Sequence, residues 1–160
     1  MPVTPFTELA YRDDFSSPHD RASIYALLRD VFGVDVSPLG ELDLWEPTYR
    51  AFAYLDENGT RVANAATFTL RLMINDQHVN AMGIQSVATR TVWRGRRLSH
   101  ALLERALQWC DTHSPLTFLM TSIPGFYEPM GFRGVPQSSF IGDAPVDRNH
   151  PPRAVLQNVC

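Results

Sequence analysis

The run from Val87 to Leu107, VATRTVWRGRRLSHALLERAL, constrains the fold most, because a β-branched segment passes through an arginine-rich turn straight into a helical pattern. Leu98, Ala101, Leu102, Leu103, Ala106, Leu107 and Cys110 recur at helical spacing and mark one apolar side, with His100, Glu104, Arg105, Gln108 and Asp111 on the other. At the start of such a helix several backbone N–H groups have no internal partner, and the macrodipole adds roughly half a positive charge there. An anionic group can therefore dock without a dedicated side chain. Arg94, Gly95, Arg96 and Arg97 crowd this turn.

The rest of the composition makes that patch local. A net charge of −3 argues against nucleic acid as a partner, since such proteins usually carry a broad basic excess. All 14 basic residues are arginine, a bias of composition that decides nothing about mechanism. With 160 residues, 44% of them hydrophobic, residues 1–160 suit one domain with a real core and are too few for two ordinary ones. Cys110 and Cys160 lie far apart with neither metal-ligand nor disulfide-framework spacing, so no metal site is expected and a reducing, cytoplasmic compartment is the default. No basic region followed by an apolar run opens the chain, and no run of eighteen apolar residues occurs, so neither a signal peptide nor a membrane partner is expected.

Periodicity outlines the remaining elements. Leu9 to Phe15 reads as a first strand, and Ser16, Ser17, Pro18, His19 and Asp20 supply turn and cap chemistry for a helix. Its buried stripe is Ile24, Leu27, Leu28, Val31 and Phe32, and Gly33 terminates it. Pro38, Gly40 and Pro47 interrupt the next segment, which reads as a loop with a short helix around Leu42 to Trp45. Period two then takes over. A strand from Ala51 to Leu55 turns at Glu57, Asn58 and Gly59 into one starting near Arg61, in which Phe68, Leu70, Leu72 and Ile74 form the buried face. Asn75, Asp76 and Gln77 turn it into a third, His78 to Thr89, giving an antiparallel meander. After the amphipathic helix, Leu116 to Met120 reads as a strand reached by a right-handed crossover and parallel to the one ending at Thr89. A short helix over Pro124 to Met130, stopped by Gly131, precedes one or two closing strands from Phe132 on that include Ala154 to Val159.

This order of elements, with VATRTVWRGRRLSHALL and then FLMTSIPGFYEPMGFR, resembles the GNAT superfamily of acetyl-CoA-dependent N-acetyltransferases from about Leu9 onward. The resemblance implies an α+β layered fold with a mixed central sheet of six to seven strands, flanked by helices and splayed at its central parallel pair. The family's cofactor turn runs Arg or Gln, two residues, Gly, one residue, then Gly or Ala; its slots fall here on Arg94, Arg97 and Ser99. The FYExxGF signature is present as Phe126, Tyr127, Glu128, Gly131 and Phe132, and its tyrosine is a common general acid in the family. Ser122, five residues earlier, has a counterpart in the Eis-type branch. The resemblance also leaves a homodimer open.

What it implies for the site can be set beside the chemistry. A pantetheine arm entering where the two parallel strands diverge would use unpaired backbone groups as though it were another strand, with Val87, Ala88 and Thr89 against it. Arg94, Gly95, Arg96, Arg97, Leu98 and Ser99 would hold the diphosphate. A backbone N–H near Val87 would stabilise charge growing on the thioester oxygen, and Tyr127 would protonate the departing thiolate. Ser122 reads equally well as an ordinary strand-end hydroxyl. Arg90 and Arg105 read as solvated surface charges, and His78 and His100 as exposed rather than catalytic.

Arg97 departs from the motif. A glycine there permits close approach and positive φ, both harder for arginine. The guanidinium either turns outward onto a phosphate oxygen or fills the diphosphate site. The latter leaves a structural or protein-binding domain as one rival to an amine acetyltransferase; the other is a non-catalytic sensor that binds acyl-CoA or another anionic ligand on the same scaffold. The strand before the turn offers Gln85 and no acid, so Glu41, Asp43 and Glu46 are the nearest candidate bases beside a water chain or direct release to solvent.

Overall fold

A long hairpin dominates the computed structural model, which describes residues 9–15 and 17–136. Strands β3 (Arg61–Ile74) and β4 (Gln77–Thr89) run antiparallel through the Asn75–Asp76 turn. Both turn residues adopt positive φ, 49° and 60°, which a two-residue connection matched to strand twist requires and which Asn and Asp tolerate better than other L-residues. Strands β1 (Ala10–Arg12) and β2 (Arg50–Leu55) extend the antiparallel sheet beyond β3, and β5 (Thr117–Leu119) pairs parallel with β4. The order is β1-β2-β3-β4-β5. The sheet is mixed and flanked by helices as expected, with five strands among the described residues rather than six or seven. Residues 132–136 form no strand, and Ala154 to Val159 lie outside the described residues.

Helix α1 (Pro18–Phe32) starts on a reciprocal cap: Ser17 Oγ accepts from the Asp20 amide at 3.2 Å, and Asp20 accepts from the Ser17 amide at 3.3 Å. It ends at Gly33, whose φ of 69° suits glycine and whose N–H donates to the Arg29 carbonyl. Ile24, Leu27 and Leu28 are buried as the stripe predicts, but Phe32, in the last turn, is 56% exposed. The short helix expected at Leu42 to Trp45 occurs earlier, as α2 (Ser37–Glu41). Pro38 nucleates it rather than breaking a helix, because its missing N–H falls in a first turn where no internal partner exists. A Cβ on Gly40 would collide with the Tyr25 hydroxyl, so the glycine lets α2 lie close to α1.

Helix α3 (Leu98–Asp111) buries Leu102, Leu103, Ala106 and Cys110. Both α1 and α3 pack on β3 and β4. The first half of β3, residues 61–67, is buried throughout, the form of a strand covered on both faces, and only beyond it does burial alternate, with Phe68, Leu70 and Leu72 better covered than Thr69, Arg71 and Met73. Ile74, expected on the buried face, is 40% exposed at the hairpin tip. Gly83 lies opposite Phe68, whose ring occupies the space a Cβ would need.

A polar chain crosses this core. Arg61, 2% exposed, donates from Nε to Ser23 Oγ at 2.9 Å and from Nη1 to Asn64 Oδ1 at 2.9 Å, and lies 3.6 Å from Asp20. Asn64 passes the chain on, donating to the Ser86 carbonyl at 2.8 Å. Arg90 is no solvated surface charge: it clasps the Arg61 carbonyl at 2.9 Å and Asp30 at 2.8 Å. Arg105 lies over the Tyr11 ring at 4.1 Å.

The chain divides into two compact units, Met1–Met120 and Thr121–Cys160. In the second, α4 (Pro124–Tyr127) continues into a 3-10 turn, Glu128–Met130, that Gly131 ends at φ 92°, as the sequence predicts. Among the described residues no helix is long and apolar enough to cross a membrane.

Candidate active site

Strand β4 changes character at its centre. Its pairing with β5 ends at Ile84 and Leu119, so residues 85–89 have no strand on that edge among the described residues. On the other edge Asn64 faces Ala88 and Ala66 faces Gln85, which leaves Ser86 and Val87 opposite Ala65. This is a β-bulge, with Ser86 at φ 54°, a left-handed conformation costly for a non-glycine residue. The Asn64 hydrogen bond to the Ser86 carbonyl holds it, with buried Arg61 behind. Nothing in the sequence near Ser86 signals the bulge.

Beyond Thr89 the chain makes a 3-10 turn, Thr91–Trp93, and enters α3 through Gly95 at φ 77° and Arg97 at φ 59°. Arg97 thus takes the backbone conformation that a glycine in its slot would adopt without strain. Its side chain is exposed and has no partner among the described residues. Arg94 folds back onto the Thr89 carbonyl at 3.2 Å, Arg96 lies over the Trp93 ring at 4.6 Å, and Thr89 Oγ1 and Ser99 Oγ, 2.6 Å apart, tie the strand end to the helix start. Unlike α1, α3 has no side-chain cap and no acid in its first turn. Among the described residues the amides of Arg97, Leu98 and Ser99 donate to no acceptor. An uncapped, cationic helix start of this kind fits the diphosphate of coenzyme A.

A cavity of about 230 Å³ opens beside the bulge. Gln85 and Ser86 of β4 line it, together with Trp45, Glu46 and Tyr49 from the irregular segment before β2. Of the three candidate bases, Glu41 and Asp43 are exposed and do not line the cavity, and only Glu46 does. Glu46 Oε1 accepts from the Thr48 amide at 2.9 Å and hydroxyl at 2.6 Å, which leaves Oε2 without a partner among the described residues. Trp45 and Tyr49, whose rings lie 4.8 Å apart, each carry a buried polar atom without a partner, Nε1 and Oη. The sequence offered no periodicity in this segment, so both aromatic residues escaped notice as site residues.

Burial pushes the Tyr49 phenol up to about 12; Ser86 and Asn64 beside it pull the other way without reaching hydrogen-bond geometry. A raised pKa in the folded state makes a contribution that is complete below pH 10 and lost as pH climbs toward 12. The two-unit difference corresponds to about 3 kcal/mol. Urea titrations between pH 9 and 11.5 should therefore show falling stability, and Tyr49→Phe should flatten part of that fall.

Tyr127 lies in the second unit, 8% exposed, edge-on to Phe126 at 4.9 Å and to Phe132 at 5.9 Å. Among the described residues its hydroxyl makes no hydrogen bond, and burial raises its pKa. Ser122 is exposed in the same unit. His78 is exposed and His100 half-buried. Among the described residues no cluster of His, Cys, Asp or Glu could hold a metal ion.

The fold is shared with known acetyltransferases. An acetyltransferase of Trypanosoma brucei superimposes with a TM-score of 0.64 at 18% identity, covering 84% of this chain and 99% of that one. A GNAT family N-acetyltransferase (YhbS) of Escherichia coli, in complex with CoA, gives 0.63 at 21%, covering 83% and 73%. The aminoglycoside 6'-N-acetyltransferase AAC(6')-IG of Acinetobacter haemolyticus gives 0.65 at 10%, covering 85% and 99%. No curated protein matches the chain in sequence. Residues 16–135, which include the bulge, the arginine turn and the FYExxGF signature, match the acetyltransferase (GNAT) domain family, with acetyl-CoA as the co-substrate, and the chain belongs to that family.

Proposed function

We propose that this chain is an N-acetyltransferase that moves the acetyl group of acetyl-CoA to a primary amine of a small molecule by direct attack, without a covalent enzyme intermediate. The uncapped, cationic start of α3, entered directly from a strand whose edge is open after Ile84, carries the reading. The family match, which runs across the division at Met120, supports taking residues 1–160 as one catalytic domain. The finer likeness to the Eis type rests on Ser122 and the FYExxGF signature alone, and the reading sets the enzyme in the cytoplasm.

Each part of the site then has a task. The amides of Arg97, Leu98 and Ser99 receive the diphosphate, with exposed Arg97 turned outward onto it. The open edge of Val87, Ala88 and Thr89 orients the pantetheine arm by backbone hydrogen bonds. The neutral amine attacks the thioester carbon as the carbon–sulfur bond breaks, and backbone N–H groups at the bulge stabilise the charge that develops on the carbonyl oxygen. Tyr127 gives its proton to the thiolate and regains one from solvent; the amine proton leaves to solvent. The products are the amide and free coenzyme A.

Two experiments test this. Thiol release from acetyl-CoA across an amine panel should reveal at least one acceptor, whereas binding without turnover on any amine would favour the sensor instead. Arg97→Gly removes the strain of a left-handed arginine, about 1–2 kcal/mol, against the greater chain entropy of glycine. The variant should be more stable by about 1 kcal/mol in denaturant titration and bind acetyl-CoA more weakly, because the guanidinium contact to the diphosphate is lost.

A further inference from the structure

The cavity beside the bulge has a composition that narrows the acceptor. Its walls are aromatic and aliphatic: Trp45 and Tyr49 stand against Leu28, Val36 and Leu44. Phe15 and Tyr25 pack behind, with ring centroids 5.9 and 5.4 Å from that of Trp45. The apolar character continues outside, since Leu39 and Leu44 are 42% and 63% exposed. Against this stands one carboxylate, Glu46, half-buried and with one oxygen unengaged.

Size limits the occupant as well. An apolar cavity of roughly 150 Å³ takes a benzene ring, while sites for drug-sized ligands run from about 300 Å³ upward. At about 230 Å³, this cavity has room for a ring and a short arm and none for a multi-ring aminosugar. A polyamine or aminoglycoside finds one carboxylate here for its several ammonium groups, and any of them set against the apolar walls is an unpaired charge that is costly to bury. Tyr49 Oη, buried without a partner among the described residues, is an acceptor of the kind that a bound ammonium completes.

Resting on the reading above, we infer that the acceptor is a monoamine with an apolar body of about one aromatic ring, held as the ammonium by Glu46 until it releases one proton to solvent and attacks, with its ring against Trp45 and Tyr49. Gln85 and Ser86 border the same cavity, which brings the nitrogen to the strand segment along which the thioester is proposed to run. Aromatic walls favour the cation as well as the ring.

The test compares 2-phenylethylamine with kanamycin and spermidine as acceptors, alongside calorimetric binding of 2-phenylethylamine to the full chain. The expected result is a kcat/KM at least 10-fold higher for 2-phenylethylamine than for either polycation. Glu46→Gln should raise its KM and its dissociation constant at least 10-fold, with acetyl-CoA affinity unchanged. Preference for a polycation, or a Glu46→Gln variant that binds 2-phenylethylamine as tightly as the parent, overturns the inference. Glu46-dependent binding without thiol release from any amine supports this pocket assignment and sinks the acetyltransferase reading, so the two fail separately.

Discussion

Tyr127→Phe is expected to lower turnover by about 10²-fold or more while leaving acetyl-CoA affinity unchanged, because a positioned general acid is worth about 10² to 10⁴ in rate. The substitution is clean. It keeps the ring that packs edge-on to Phe126 and Phe132, and it removes a hydroxyl that makes no hydrogen bond among the described residues, so no partner is orphaned. Burial raises the phenol's pKa above 10, so the proton is in place throughout the neutral range. Steady-state kinetics at saturating acetyl-CoA, with calorimetry for the affinity, separates chemistry from binding. Full activity in the variant would remove Tyr127 from the mechanism.

Asp20→Ala is expected to destabilise the fold by on the order of 3–5 kcal/mol, the usual effect of removing one member of a buried ion pair. Asp20 is 2% exposed and faces two guanidiniums, Arg12 at 3.0 Å and Arg61 at 3.6 Å. Arg61 is as deeply buried, so the truncation strands a charge in the core. The carboxylate half of the α1 capping box is lost with it, since the Ser17 amide at 3.3 Å and Ser17 Oγ at 2.8 Å both donate to this side chain. Burial by itself would raise the Asp20 pKa, but the Ser17 hydrogen bonds and the Arg12 and Arg61 charges outweigh it and hold the carboxyl below its ordinary 3.8. Its contribution is therefore full above that value and disappears as pH falls through the lower, folded one. Urea midpoints from pH 7 to pH 3 should show the parent losing an increment that Asp20→Ala already lacks. Activity should fall too, because Arg61 supports Asn64 and Asn64 supports the bulge at Ser86.

What the sequence disclosed, and what it hid, follows from the range of the forces involved. The amphipathic α3, the Asn75–Asp76 hairpin, the Gly33 terminator and the parallel β5 were legible because spacing and turn residues are local signals. The arginine turn into α3 was legible for the same reason, down to the need for positive φ at Arg97. The bulge was not. Ser86 is held left-handed by an asparagine and an arginine from another strand, and pairings of that kind leave no periodicity. The segment from Asp35 to Thr48 was misread for a related reason. Its prolines and glycine serve α2 and the close approach to Tyr25, while Trp45 and Tyr49 gain their role only from the cavity they enclose.

The proposed reaction requires that the open amides at the start of α3 bind the diphosphate of coenzyme A. Calorimetric titration of the full chain with coenzyme A and, separately, with pantetheine, which lacks the diphosphate, tests it most directly. One molecule of coenzyme A should bind per chain, more weakly as salt is raised, and pantetheine at least 100-fold more weakly still. Equal affinity for the two, or no binding of coenzyme A at all, would contradict it.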